Sequence, residues 1–173
     1  MYIVISGTLL LIYAAIGFYR GLVASLLHLL STIFAIWTGL QFYQPLNHYM
    51  RLFIPFPKTD AFDANYAIDF AQPERHFNTI ISLLIIIFIV KVMTHMVLDA
   101  FSKLIYRQRN VFFLRVFGVI ISLVSGVIAL HFLLLLMALY PDSTIQSSLQ
   151  HARLAKWLIT ELPLLSPITL NLT

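Results

Sequence analysis

Charged residues punctuate the chain only rarely, and the uncharged stretches between them are long. Residues 116–140 hold no Lys, Arg, Asp or Glu; the run opens after Arg115 and closes at Pro141 and Asp142. An α-helix rises about 1.5 Å per residue and a bilayer core is roughly 30 Å thick, so about 20 apolar residues cross it. The run therefore predicts a membrane span with some tilt. Residues 3–19 form a shorter uncharged run with Tyr2 and Tyr19 at its ends, where interfacial aromatics belong. The next, 22–43, finishes with Trp37, Phe42 and Tyr43. As a single helix, the two together would measure about 60 Å, twice the apolar thickness. The chain must therefore turn near Arg20, where Gly17 and Gly21 permit unusual backbone angles. A further run, 77–98, follows Pro73 and Glu74, which suit the first turn of a helix.

The remaining stretches are of two kinds. Residues 44–76 read as one long loop with Pro45, Pro55, Pro57 and Pro73 and the acids Asp60, Asp63, Asp69 and Glu74. The acids are irregularly spaced and match no calcium-loop pattern, so no metal is expected. In the tail, 141–173, Ile145, Leu149, Ala152 and Leu158 alternate with Gln146, Gln150, Arg153 and Lys156. That pattern suggests an amphipathic helix on the membrane surface, with Trp157 at headgroup level. The predicted fold is all-α: a polytopic membrane protein with four transmembrane helices (1–140) plus an amphipathic C-terminal helix.

Small residues recur inside the runs. Gly118, Ser122 and Gly126 are four apart, as are Ser31, Ala35 and Gly39, while Gly7, Ala14 and Gly21 are seven apart. Such steps place each set on one helix face. In lipid, close backbone approach at small residues replaces the hydrophobic drive for helix association. All nine are predicted helix-packing positions.

Composition narrows the class. The chain is 60% hydrophobic and 10% charged, with mean hydropathy +0.90, against about 25% charged in soluble domains. Lipid is thus the expected solvent. The net charge of +4 is not gathered into one patch and gives no nucleic-acid signal. Cysteine is absent, which excludes disulfides, thiolate metal sites and a Cys nucleophile. The start, Met1-Tyr2-Ile3-Val4, lacks a basic segment and a cleavage site, so the first run is expected to persist as a span rather than a signal peptide.

Polar groups within the runs are the candidate chemistry. Lys91, His95, Asp99 and Lys103 are four apart and share one helix face. With His28 and His131 inside other runs, they admit a polar path for protons or ions. The simpler reading is a helix leaving the membrane, with Lys91 snorkelling outward and each His bonded to a neighbouring carbonyl. No His-Glu-x-x-His or Gly-x-Ser-x-Gly motif occurs, and neither an enzyme nor a cofactor is expected.

Several residues together carry a family resemblance. Gly17-Phe18-Tyr19-Arg20-Gly21 forms a glycine-aromatic-Arg-Gly turn after the first run, and Phe42-Tyr43-Gln44-Pro45 ends the second. A basic segment then precedes Leu114-Arg115-Val116-Phe117-Gly118, with Ser122 and Gly126 following. In this order of motifs the chain resembles the colicin V production (CvpA) family of bacterial inner-membrane proteins, over most of 1–140. Ser122 stands where the family usually has Gly, and Ser125 where an Arg commonly precedes the last Gly. The resemblance implies a four-span, non-enzymatic protein linked to toxin production or export and to envelope homeostasis. Its expected partners are the lipid bilayer and other membrane proteins or further copies of itself. The alternative expectation is a small oligomeric transporter or channel subunit, in one version proton-coupled.

Orientation follows from the basic residues. Arg20, Lys103, Arg107, Arg109 and Arg115 flank one side of a four-span arrangement, and Arg51, Lys58, Arg75, Arg153 and Lys156 the other. The counts tie, but the segment around Arg107 and Arg109 is short and dense, and short loops carry the orientation signal. The expected topology is N-out, C-out, with the Arg20 turn and the Arg107 segment in the cytoplasm. A phosphatase fused after Thr173 should therefore be active and a cytoplasmic reporter silent; the reverse pattern overturns this orientation.

Overall fold

A computed structural model describes residues 2–53, 66–68, 70, 72–101 and 112–172. Its regular elements are all helices: α1 Tyr2–Phe53, α2 Pro73–Ala100, α3 Phe112–Leu139, α4 Ser143–Gln150, α5 Arg153–Thr160 and α6 Leu165–Leu170. The first three contain the stretches Tyr2–Met50, Pro73–Ala100 and Phe112–Leu139, each long and apolar enough to cross a membrane. Large apolar side chains such as Ile3, Leu11, Phe88, Met93 and Phe113 face outward. Such a surface suits hydrocarbon rather than water.

α1 is not one rod. At Gly21 the backbone takes φ 78, ψ −178, outside the helical region, in a range where an L side chain is strained. Tyr13 before the break and Thr32 after it line the same cavity, although a straight helix would hold them about 28 Å apart. The chain doubles back at Gly21 into a first arm, 2–20, and a second arm, 22–53. The turn anticipated beside Arg20 lies here.

Each arm packs on a different helix. The first lies against α3 through glycines: a Cβ on Gly17 would stand 2.5 Å from the Gly118 carbonyl oxygen and 2.5 Å from Ser122 Cβ. A Cβ on Gly118 would meet the Gly17 carbonyl at 2.6 Å and Gly21 backbone at 2.6 Å. The Ser122 hydroxyl donates across the seam to the Tyr13 carbonyl at 2.7 Å, and Gly126 faces the Tyr13 ring. Gly118, Ser122 and Gly126 thus share a packed face whose partner is Gly17, which the sequence pattern assigns to the turn alone. Gly7 of the seven-residue series is exposed, and a Cβ added there would meet nothing within 4 Å; Ala14 is half-buried. Ten residues at about 100° each leave Gly7 roughly 80° round the helix from Gly17, off the seam. The second arm buries Ser31, Ala35 and Gly39, and Gly39 meets Leu83 and Ile87 of α2.

Two expected boundaries shift. Residues 44–53, expected to begin the loop, continue the second arm, with Pro45 inside the helix. Proline removes one N–H and typically costs about 3 kcal/mol inside a helix. Here the extension gains a tertiary bond, Asn47 Nδ2 donating to Thr79 Oγ1 at 3.0 Å. Most of the rest of that loop, and Lys103, Arg107 and Arg109, lie outside the described residues.

The tail forms three short helices in place of a single amphipathic one. Asp142 caps α4, its carboxylate accepting from Ile145 N at 2.9 Å. Leu149, Ala155 and Ile159 are buried with Leu130, Leu134, Leu135 and Leu139 in the main apolar core. Burying residues from successive turns against one end of the bundle requires the chain to bend, and Pro163 helps end α5. Gln146 fastens this end: its amide donates to the Ala138 and Tyr140 carbonyls at 2.9 and 2.8 Å and accepts from Ala67 N at 2.9 Å. The bonds occupy carbonyls that the C-terminus of α3 leaves open.

The seam makes a sharp contrast between glycines. Gly118→Ala places its methyl on backbone that has no rotamer to change, and should cost at least about 1–3 kcal/mol. Gly7→Ala should stay within about 0.5 kcal/mol of wild type. Thermal unfolding of the detergent-purified variants measures the difference; equal stabilities would contradict the seam.

Candidate polar cavity

Helical spacing delivers one polar face from each neighbouring element. On the second arm, Ser25, His28, Ser31 and Thr32 recur at steps of three, three and one, close to a single face. On α2, Lys91, His95 and Asp99 follow at steps of four. Arg20 stands at the turn. Together with Tyr13 and Ile16 of the first arm and Ser122 and Ser125 of α3, residues of these sets line a cavity of about 210 Å³.

Lys91 is the anchor of this site. Its Nζ donates to the His28 carbonyl, Ser31 Oγ and Thr32 Oγ1, each at 2.6 Å. The Ser31 and Thr32 hydroxyls both lie 2.9 Å from that same carbonyl, a local bonding pattern common for these residues in helices. An ammonium has three donors and no acceptor, so all three are used without a carboxylate. The contacts fall 7 to 11 residues beyond Gly21, roughly 10–16 Å from the turn. Lys91 therefore points inward instead of snorkelling to headgroups. One turn of the second arm offers the three oxygens that headgroups would otherwise supply.

The exposed side of the site carries His95, which lines the cavity, and its partner Asp99. His95 Nδ1 lies 2.9 Å from Asp99 Oδ2, and these side chains are 43% and 56% exposed. Arg20 Nη2 approaches His95 Nε2 at a long 3.4 Å. Since Arg has no acceptor, Nε2 is the acceptor there and Nδ1–H donates to Asp99. The His28 and His95 rings sit 5.1 Å apart. At the other extreme, Ser25, His28 and Ser125 are only 2%, 6% and 8% exposed. Their Oγ, Nδ1 and Oγ atoms have no hydrogen-bond partner among the described residues.

The structure thus gathers His28, Lys91, His95 and Asp99 of the anticipated polar path, and adds Arg20 to them. His131 is elsewhere. It is fully buried at the tail, where Nδ1 donates to the Leu158 carbonyl at 2.7 Å and Nε2 faces Thr169 Oγ1 at 2.9 Å. Arg115 lies at the turn end, its guanidinium 5.5 Å from the Phe18 ring centre, a cation–π contact. Tyr13, Ser25, Thr32 and Ser125 are cavity residues that the sequence pattern does not single out. A signal is nevertheless present: Ser25 precedes His28 by three and Ser125 follows Ser122 by three, so each extends a polar face already marked. Among the described residues no group of three or more His, Asp or Glu is placed to hold a metal.

Apolar helices with outward hydrocarbon side chains and inward polar groups define a membrane protein. Within that class, the chain belongs to the colicin V production protein family, which it matches over residues 3–163. The match runs past the motifs of 1–140 and through α5. No curated protein and no solved structure matches it.

Removing Lys91 and removing its acceptors should have unequal effects. Lys91→Met exchanges a half-buried charge for an apolar chain of similar length, which is often close to neutral. The double variant Ser31→Ala/Thr32→Ala strands the ammonium and should cost about 1–3 kcal/mol for each lost acceptor. Thermal melts of the two proteins test the order; a Lys91→Met variant less stable than the double variant would contradict it.

Proposed function

We propose that this chain is a non-enzymatic, four-span protein of the bacterial inner membrane. It serves the production or export of a colicin V-like toxin and envelope homeostasis, through contacts between its helices and partner membrane proteins or further copies of itself. The membership of the colicin V production family carries this reading. The reversal at Gly21 supports four spans, because the first arm of 19 residues is about 28 Å long and the second longer. Tyr2 and α4 lie at one end of the bundle, joined by the Tyr2 hydroxyl donating to the Ile145 carbonyl at 2.9 Å. That agrees with an even number of crossings, which leaves both ends on one side. The outward face of α2, with Phe88, Met93, Met96 and Val97 exposed, offers surface for lipid or another helix.

A second reading is favoured by the convergence of Arg20, His28, Lys91 and His95 on one cavity, with Asp99 paired to His95. In it the chain is a subunit of a small transporter or channel, proton-coupled in one form. Four spans are few for a pore, so this version requires a homo-oligomer.

The first reading is tested in a toxin-producing strain lacking the chain. Toxin released to the medium and resistance to detergent should both fall, return with the wild-type chain, and stay low with Gly118→Leu. Normal toxin release and normal resistance in the deletion strain would overturn it.

A further inference from the structure

The cavity carries an imbalance of charge. Arg20 and Lys91 line it, no carboxylate does, and Asp99 is engaged by His95. Lys91 between the helices and Arg20 at the turn beside it call for a counter-charge, since hydrocarbon supplies none. Ser25, His28 and Ser125 also line it and are nine-tenths or more buried, and their Oγ, Nδ1 and Oγ atoms have no partner among the described residues. Buried polar atoms are normally hydrogen-bonded, and three orphans around one cavity are unusual.

We propose that this cavity is a binding site for a phosphate group, held by Arg20 and Lys91 through charge and by Ser25, His28 and Ser125 through hydrogen bonds. Arg20 at the turn, Ser25 and His28 of the second arm and Ser125 of α3 bring donors to the cavity, while Lys91 of α2, its three donors already used, contributes its charge. A tetrahedral phosphate presents oxygens in four directions and suits that spread better than the planar pair of a carboxylate. Arg and Lys are both common phosphate partners. A volume of about 210 Å³ has room for a phosphate and its ester oxygen. The exposed His95 and Asp99 mark where the group enters. The same chemistry is presented by a free phosphate and by the headgroup of an anionic phospholipid.

The test uses the full chain in an uncharged maltoside detergent and phosphate-free buffer, with thermal unfolding as the readout. Inorganic phosphate is titrated in one arm and phosphatidylglycerol in mixed micelles in the other, with chloride at matched ionic strength as the control. One titrant should raise the melting temperature saturably. A response to phosphate identifies a soluble ligand, and a response to the lipid alone identifies a headgroup. Arg20→Gln should shift the half-saturation at least tenfold. Ser25→Ala and Ser125→Ala should each weaken it severalfold while leaving the unliganded melting temperature unchanged or higher, since each removes an orphaned hydroxyl. The serine variants decide the matter where Arg20→Gln does not fold. Absence of a saturable shift with either titrant, or a shift undiminished in the serine variants, overturns the site. Binding is measured on purified protein, so its failure leaves the toxin-production reading standing, and loss of that reading leaves the site.

Discussion

Gly17, Gly21 and Gly118 meet at backbone distance, so that a methyl on Gly118 would lie 2.6 Å from the Gly17 carbonyl oxygen and 2.6 Å from Gly21. The rest of the bundle depends on this contact. The positive φ at Gly21 lets the chain reverse, and the absence of side chains at Gly17 and Gly118 lets the first arm settle on α3. With that arm in place, the second arm lies against α2, and the polar faces of all four segments look into one space. Between apolar rods in lipid there is no hydrophobic gain to collect, so van der Waals contact and hydrogen bonds across the seam hold them together. The Ser122 hydroxyl on the Tyr13 carbonyl is such a bond.

Hydrocarbon cannot solvate a polar group, and the molecule answers this in three ways. Lys91 is solvated by one turn of a neighbouring helix, through a carbonyl and two hydroxyls. His131 and Gln146 serve as fasteners: each uses its polar atoms to tie the short C-terminal helices to α3. Ser25 Oγ, His28 Nδ1 and Ser125 Oγ, from residues that line the cavity, have no partner among the described residues. The contrast between satisfied and orphaned groups separates residues that hold the fold from those available to a ligand. A titratable residue within an apolar run is therefore not one kind of feature: His28 and His131 look alike in sequence and occupy opposite roles.

The helical runs and the turn near Arg20 are legible in the sequence because bilayer thickness limits helix length, and a 40-residue apolar run exceeds it. The packed face of Gly118, Ser122 and Gly126 is legible from spacing alone. Its partner is not, since spacing gives a face and says nothing of what lies opposite; in sequence, Gly17 looks like part of a turn. Pro45 marks a helix end by local preference, and tertiary packing carries the helix past it. Lys91 looks set to snorkel outward because a lone sequence shows distance from the run's end but not three oxygens on another helix. The tail pattern suggests one helix because alternation over 145–158 survives a bend at His151 and Ala152. Of the candidate site, the α2 face and His28 are visible in the sequence. Arg20, Ser25 and Ser125 require the fold to bring them to the same space.

The doubling back at Gly21 underlies the seam, the cavity and the count of crossings. The chain has no cysteine, so Thr8→Cys and Phe34→Cys can carry a pair of spin labels without background. Both positions are exposed, one 13 residues before Gly21 and the other 13 after it. Pulsed electron paramagnetic resonance on the labelled protein in lipid should give a separation below about 25 Å. A straight α1 would hold the two positions about 39 Å apart, and a distance distribution centred there would contradict the account.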